Sequence, residues 1–291
     1  MRPDRSLPKS PRTVLKADER NAVIAAAIFF MILYGLGWWG IGPVATVPAL
    51  AVAVGLLAAL QLAGVRRLRA AVNEHLQQTQ SLLFLQKQLN NAQPLPAFDS
   101  ATLFPDAAAS LAGLIRTRKP QLVLELGSGL STLIAAYCLR DMGNGRLISL
   151  EHDPLYSAIS RDNLHRHGLQ CIAEVVDAPL ADVPVNQELR RWYDTRILNV
   201  IAGEVDLLIV DGPPHNVQPL ARYPALPLLI DRLAADAVIL VDDANRADEQ
   251  EMVRRWQTEF PGFRLTYFPI GEGTILLERG RAVESKVGGL T

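Results

Sequence analysis

Two hydropathy patterns divide the chain. From Asn21 to Gly64 no Lys, Arg, Asp or Glu occurs, whereas beyond about Ala97 short apolar runs alternate with longer amphipathic ones. A helix that crosses a bilayer needs about 20 apolar residues. The first block holds about two such lengths, divided at "GIGP", Gly40 to Pro43, where glycine and proline favour a break. It predicts a transmembrane helical hairpin over 22–64, with helices near 22–40 and 44–64. Trp38 and Trp39 stand beside the break, at the depth indole rings prefer. A cleaved signal peptide fits less well, because the leader is long, the apolar stretch is of double length and basic residues follow it.

The pattern then changes. In "VRRLRAAVNEHLQQTQSLLFLQKQLNNAQ", Val65, Leu68, Val72, Leu76 and Leu83 recur near helical spacing, and no glycine or proline intervenes before "QPLP". This predicts a stalk helix and linker over 65–96. Three readings are open for that helix: it lies on the bilayer, it packs on the C-terminal domain, or it pairs with a second copy as a homodimer, although His75 and Thr79 interrupt a strict heptad. From 97 to 280 the runs "QLVLEL", "RLISLE", "CIAEVV", "DLLIVD" and "AVILVD" read as strands separated by helical segments, and "FRLTYFPIGEGTILLE" as two strands around a turn. The fold class is α/β, a Rossmann-like sheet of five parallel strands closed by a C-terminal β-hairpin. Residues 281–291 form a tail.

Charge adds orientation. Arg2, Arg5, Lys9, Arg12, Lys16 and Arg20 make 1–21 a basic leader, and Arg66, Arg67 and Arg69 follow the hairpin. The positive-inside rule then places both termini and the C-terminal domain in the cytoplasm, on a two-pass protein of the inner membrane. With 29 Lys and Arg against 30 Asp and Glu, no bulk attraction to nucleic acid is implied. Cys138 and Cys171 form no CxxC pair, so neither a zinc site nor a disulfide framework is indicated.

Open α/β sheets bind ligands at the carboxyl ends of their strands. Here those ends carry Glu125, Glu151, Asp177, Asp211 and the pair Asp242 and Asp243. After the first strand, "ELGSGLST" sets Gly127 and Gly129 in a tight turn, with Ser128 between them and with Ser131 and Thr132 at the start of a helix. Thr132 replaces the third glycine of the dinucleotide fingerprint, and Glu125 stands where a pyrophosphate needs positive or neutral surroundings. A cationic ligand fits better, and S-adenosylmethionine is one. Glu151, followed by His152, lies where a carboxylate accepts ribose hydroxyls. Asp177, followed by Ala178, lies near the expected adenine edge.

Together "ELGSGLST", "SLEHDP", "DAPL", "LLIVDGPP", "RYPALPLL" and "VDDANR" resemble a class I S-adenosylmethionine-dependent methyltransferase, more narrowly the methyltransferase 24 family, over most of 97–280. The resemblance implies that Glu125, Gly127 and Gly129 hold the methionine portion of the cofactor, Glu151 the ribose and Asp177 the adenine amino group. Asp211, Asp242 and Asp243 resemble the metal site of catechol-type O-methyltransferases, a set suited to Mg or another hard divalent cation. Asp243 stands where that family has Asn. The alternative is that Asp211 orients cofactor or substrate while Asp242 and Asp243 cap a helix.

Methyl transfer to oxygen requires alignment and removal of a proton. The candidates are Asp211 and His215 for catalysis, with Arg222, Tyr223 and Arg246 holding the acceptor and Trp192 to Asp194 walling its pocket. The chain reads as a membrane-anchored O-methyltransferase for a small-molecule, glycan or lipid-linked acceptor. Two other classes compete: a noncatalytic membrane scaffold that retains the fold, and an NAD-dependent oxidoreductase.

Overall fold

The computed structural model describes residues 43–89, 93–97 and 103–279, without the side chains of 43–51, 53 and 200. The leader 1–21, the first predicted span 22–40 and the tail 281–291 lie outside the described residues. Helix α1 runs without interruption over Pro43–Gln88. It covers both the second predicted span and the predicted stalk to Gln88, with Pro48 near its start and Gly55 and Gly64 accommodated inside it. Among the described residues no helix is long and apolar enough to cross a membrane.

The chain divides into two compact units, Met1–Gln77 and Gln78–Thr291. In the first, the apolar side chains Val65, Leu68, Val72 and Leu76 are all exposed along α1. The second begins well before Ala97, the boundary expected from sequence. The reason is packing: Leu85 and Leu89 are buried in the same core as Leu111 and Ile115 of α2 (Pro105–Arg118).

The second unit contains β1 (Leu122–Leu126), α3 (Leu130–Met142), β2 (Arg146–Glu151), α4 (Pro154–Arg166), β3 (Ala173–Asp177), β4 (Leu180–Val185), β5 (Glu188–Tyr193), β6 (Val205–Val210), α5 (Ala225–Leu229), β7 (Leu233–Val241), α6 (Ala247–Glu259), β8 (Phe263–Phe268) and β9 (Thr274–Arg279). Strands order as β3-β2-β1-β6-β7-β9-β8. The first five are parallel, and β9 pairs antiparallel with both β7 and β8, as the sequence pattern predicts. Every residue of β1 is buried, which explains its unbroken apolar run and makes Glu125 within it conspicuous.

The order reverses between β1 and β6, so the switch point lies over their carboxyl ends. Ladder bonds continue one residue past the strands: Gly127 N donates to Leu150 O at 2.9 Å, Ala178 N to Glu151 O at 2.7 Å, Asp211 N to Leu126 O at 3.0 Å and Asp242 N to Val210 O at 3.2 Å. These bonds fix the residues that follow the strands onto one rim.

The β4–β5 hairpin was not legible as a strand pair. Its signal is the alternation of Val183 and Val185 with Asp182 and Pro184 before Asn186 and Gln187, which form a two-residue turn at φ 48° and 68°. Asparagine tolerates that left-handed backbone better than most residues do. The hairpin delivers Trp192 and Tyr193, both fully buried, to the rim.

Candidate active site

Construction of the rim begins with two glycines from different strands. Gly127 has φ 93°, and a Cβ there would stand 3.3 Å from Gly212 N. A Cβ on Gly212 would in turn collide with the Tyr193 hydroxyl. The turn after β1 and the turn after β6 thus touch through backbone alone. Gly129 differs: its φ of 173° is ordinary extended backbone, and a Cβ would meet nothing within 4 Å. Its value is open space beside the turn, not conformational freedom.

Glu125 is fully buried beneath this turn. Thr132 links it to the helix start, accepting from Gly129 N at 2.9 Å and donating to Glu125 Oε2 at 2.5 Å. Glu125 Oε1 makes no hydrogen bond among the described residues. Burial raises its carboxyl to about 7, offset in part by the surrounding Ser131, Thr132 and Ser149 hydroxyls. A buried acceptor without a donor is costly unless a ligand supplies one.

On the neighbouring strand, Glu151 Oε2 accepts from Ser128 N at 2.8 Å and Ser128 Oγ at 3.0 Å. Its Oε1 accepts from Asp153 N at 2.9 Å and lies 3.0 Å from His152 Nδ1. This carboxylate is therefore fastened to the glycine turn itself. One strand further, Asp177 pairs in register with Glu151 and holds Ser157 Oγ at 2.6 Å and Arg161 at 2.9 Å. The Ser157 hydrogen bond, then Arg161, keeps its carboxyl below the usual range. Ala178 beside it is buried.

The other side of the switch point is more crowded. Arg222, 4% exposed, places NH2 3.0 Å from Asp211 Oδ1 and 2.8 Å from Asp243 Oδ2, while NH1 donates to the Asp242 carbonyl at 3.1 Å. Arg246 NH1 adds a second contact to Asp243 Oδ2 at 2.7 Å. Loss of hydration raises Asp211 to about 6, with Arg222 opposing and Asp243 reinforcing the rise. For Asp242 the same loss, joined by repulsion from Asp211 and Asp243, raises the carboxyl to about 8. Asp211 and Asp242 also line a narrow cleft of about 10 Å³, with Ser131 and Thr274 and with apolar walls that include Leu103 and Leu111.

Three expectations change. Asp211, Asp242 and Asp243 do not fit a divalent cation: Arg222 already occupies the space between two of them, and among the described residues no acidic, His or Cys group is arranged to hold a metal ion. A doubly charged ion 4 Å from that guanidinium would meet roughly 8 kcal/mol of repulsion at an effective dielectric of about 20. Tyr223 faces away from the carboxylates, donating to Glu259 at 2.8 Å and accepting from Asn186 at 2.8 Å. His215 is exposed, and its side chain makes no hydrogen bond among the described residues. Conversely Tyr193, read from sequence only as a pocket wall, is a rim residue. Its hydroxyl is buried without a hydrogen-bond partner among the described residues, and burial, then Glu151, pushes the phenol well above its ordinary range.

Residues 124–244 match the family model of a methyltransferase domain, a span that includes all the strand-end acids. A catechol O-methyltransferase of Mycobacterium tuberculosis is 32% identical over 168 residues, 53% of this chain and 64% of that protein. The chain thus spans a little under two thirds of the relative's length. Among solved structures, an SAH-bound methyltransferase of Podospora anserina aligns with TM-score 0.49 and 17% identity over 70% of this chain and 87% of its own. An O-methyltransferase of Bacillus cereus in complex with SAH aligns with TM-score 0.47 and 19% identity over 64% and 84%.

The burial of Glu125 predicts a pH signature in the ligand-free protein. Its carboxyl rises from 4.5 to about 7 on folding, so its contribution is fully present below pH 4.5 and is lost as pH rises through about 7. The loss amounts to roughly 3 kcal/mol. Glu125→Gln, which keeps an acceptor for Thr132, is expected to match the wild type in thermal unfolding near pH 5 and exceed it near pH 8. Parallel pH dependence of the two proteins would contradict the assignment.

Proposed function

We propose that this chain is an S-adenosylmethionine-dependent methyltransferase acting on an oxygen of a small-molecule, glycan or lipid-linked acceptor. The observation that carries this reading is the Glu151 carboxylate fastened to the Ser128 amide, one strand from the buried Glu125 at the same glycine turn. Acids on both sides of that turn disfavour a pyrophosphate and favour a ligand bearing ammonium and sulfonium groups. The same argument weighs against an NAD-dependent oxidoreductase. The identity with a catechol O-methyltransferase supports oxygen as the acceptor atom.

In this mechanism the cofactor supplies the methyl group, and the chain's residues orient it and manage a proton. Glu151 holds the ribose, Asp177 meets the adenine, and Glu125 with the turn at Gly127, Ser128 and Gly129 receives the methionine end. An acceptor hydroxyl enters the cleft beside Asp211 and Asp242. A general base works best with a pKa near the operating pH, and Asp211 at about 6 satisfies this while its carboxyl stays open at the rim, 36% exposed. Arg222 and Arg246 position the carboxylates, and the apolar walls exclude water so that the acceptor oxygen competes for the methyl group. Tyr223 and His215 have no role in this scheme.

Loss of the base is expected to be selective. With methyl-labelled cofactor and mixed cellular acceptors, Asp211→Asn in the full-length protein should transfer label about 10² to 10⁴-fold more slowly while still binding cofactor. Cofactor binding by the wild type without transfer to any soluble, glycan or lipid fraction would favour the noncatalytic scaffold.

We further propose that the protein is held at a membrane, with the catalytic unit on the cytoplasmic side. The charge-free run from Asn21 to Gly64 and the basic residues on both its flanks support this reading. The full-length protein should sediment with membranes and resist alkaline extraction, and deletion of 1–64 should release it. Release of the intact chain by carbonate would exclude an integral anchor.

A further inference from the structure

We infer that Arg222 occupies the seat that a divalent cation would need, so that the carboxylates after β6 and β7 operate without metal and acquire metal affinity only when this arginine is removed. The inference stands on the geometry of Arg222. Its bearing on the acceptor rests on the methyl-transfer reading above.

One nitrogen, NH2, lies within hydrogen-bond distance of Asp211 Oδ1 and Asp243 Oδ2, at 3.0 and 2.8 Å. A hard cation binds by taking the lone pairs of such oxygens at about 2.0 to 2.6 Å. To reach both, it would lie close to where NH2 stands. The same guanidinium uses NH1 for the Asp242 carbonyl at 3.1 Å and faces Glu249 Oε1 at 3.7 Å, so its charge is already shared among the acids of this cluster.

Nor is Arg222 free to withdraw. It is 4% exposed, and the backbone that carries it is tied on both sides. Leu220 N donates to Asp248 Oδ2 at 3.0 Å, Trp256 Nε1 donates to the Tyr223 carbonyl at 2.9 Å, and the Tyr223 hydroxyl is held by Glu259. All three partners, Asp248, Trp256 and Glu259, belong to α6. The helix thus presses the arginine against the rim from behind. Asp243 has a left-handed backbone at φ 58°, and Arg246 fixes its carboxylate from the outer side at 2.7 Å.

The replacement changes what the acceptor must offer. A divalent ion draws two neighbouring oxygens into its coordination sphere, whereas a guanidinium committed to protein carboxylates draws none. Acceptors with a single hydroxyl are therefore admissible, and a vicinal pair is not required. Arg222 acts here as a positioning residue, through the acids it holds.

The test reads metal directly by the electron paramagnetic resonance signal of free Mn²⁺, titrated with full-length protein in the absence of cofactor and acceptor. The wild type is expected to leave the signal undiminished. Arg222→Met is expected to bind one Mn²⁺ per chain, at least about tenfold tighter than any wild-type binding, and Asp211→Asn in that background should abolish it. If Arg222→Met fails to fold, Arg222→Gln keeps hydrogen-bonding capacity without the charge. Stoichiometric Mn²⁺ binding by the wild type that Asp211→Asn removes would overturn the inference, as would a folded charge-removing variant that binds no Mn²⁺. Failure of the protein to bind S-adenosylmethionine would sink the function proposed above and leave the Mn²⁺ result standing by itself.

Discussion

Parallel strands deliver all their carboxyl ends to one edge of a sheet, and in this chain those ends are acidic. Like charges so gathered repel, and burial makes the repulsion stronger. The response differs on the two sides of the switch point. On the β1–β3 side the acids are separated, and two are individually satisfied: Glu151 by the Ser128 and Asp153 amides, Asp177 by Ser157 and Arg161. On the β6–β7 side a single buried guanidinium, Arg222, holds Asp211 and Asp243 together. Removing one partner of a buried charge cluster leaves the rest uncompensated, so the local arrangement depends on Arg222 more than on any one acid.

This division assigns different work to the two halves. The first keeps one buried acceptor atom, Glu125 Oε1, without a hydrogen bond among the described residues, a state that a cationic ligand would relieve. The second keeps two carboxyls near neutrality in their titration, Asp211 at about 6 and Asp242 at about 8, beside a partly apolar cleft. In the proposed reaction, ligand capture and proton handling lie on opposite sides of the contact between Gly127 and Gly212.

Much of this was legible from residues. Strict parallel-strand periodicity, with "QLVLEL" and "DLLIVD" buried on both faces, located the sheet, and the acids at the strand ends followed from counting along it. Three features were not legible, each for a physical reason. The β4–β5 hairpin is short and polar on one face, so it resembled a loop, and Tyr193 was read only as a pocket wall. Packing of the stalk on the C-terminal domain was one of three open readings, and that it begins at Leu85 and Leu89 could not be read because α1 keeps helical spacing through both units, and the pattern does not record what covers each turn. Arg222 and Tyr223 are adjacent in sequence yet point to different partners, one to the rim and one to Glu259, and only packing decides which. The same packing turned an apparent metal triad into an ion-pair cluster.

The central claim is that the acid-lined glycine turn receives a cationic nucleoside cofactor, and calorimetric titration of S-adenosylmethionine into the full-length protein tests it most directly. The account predicts one site per chain, with affinity lost in Glu151→Ala, and no comparable binding of NAD. A folded wild-type protein that binds no S-adenosylmethionine, or binds it equally well without the Glu151 carboxylate, would contradict the account.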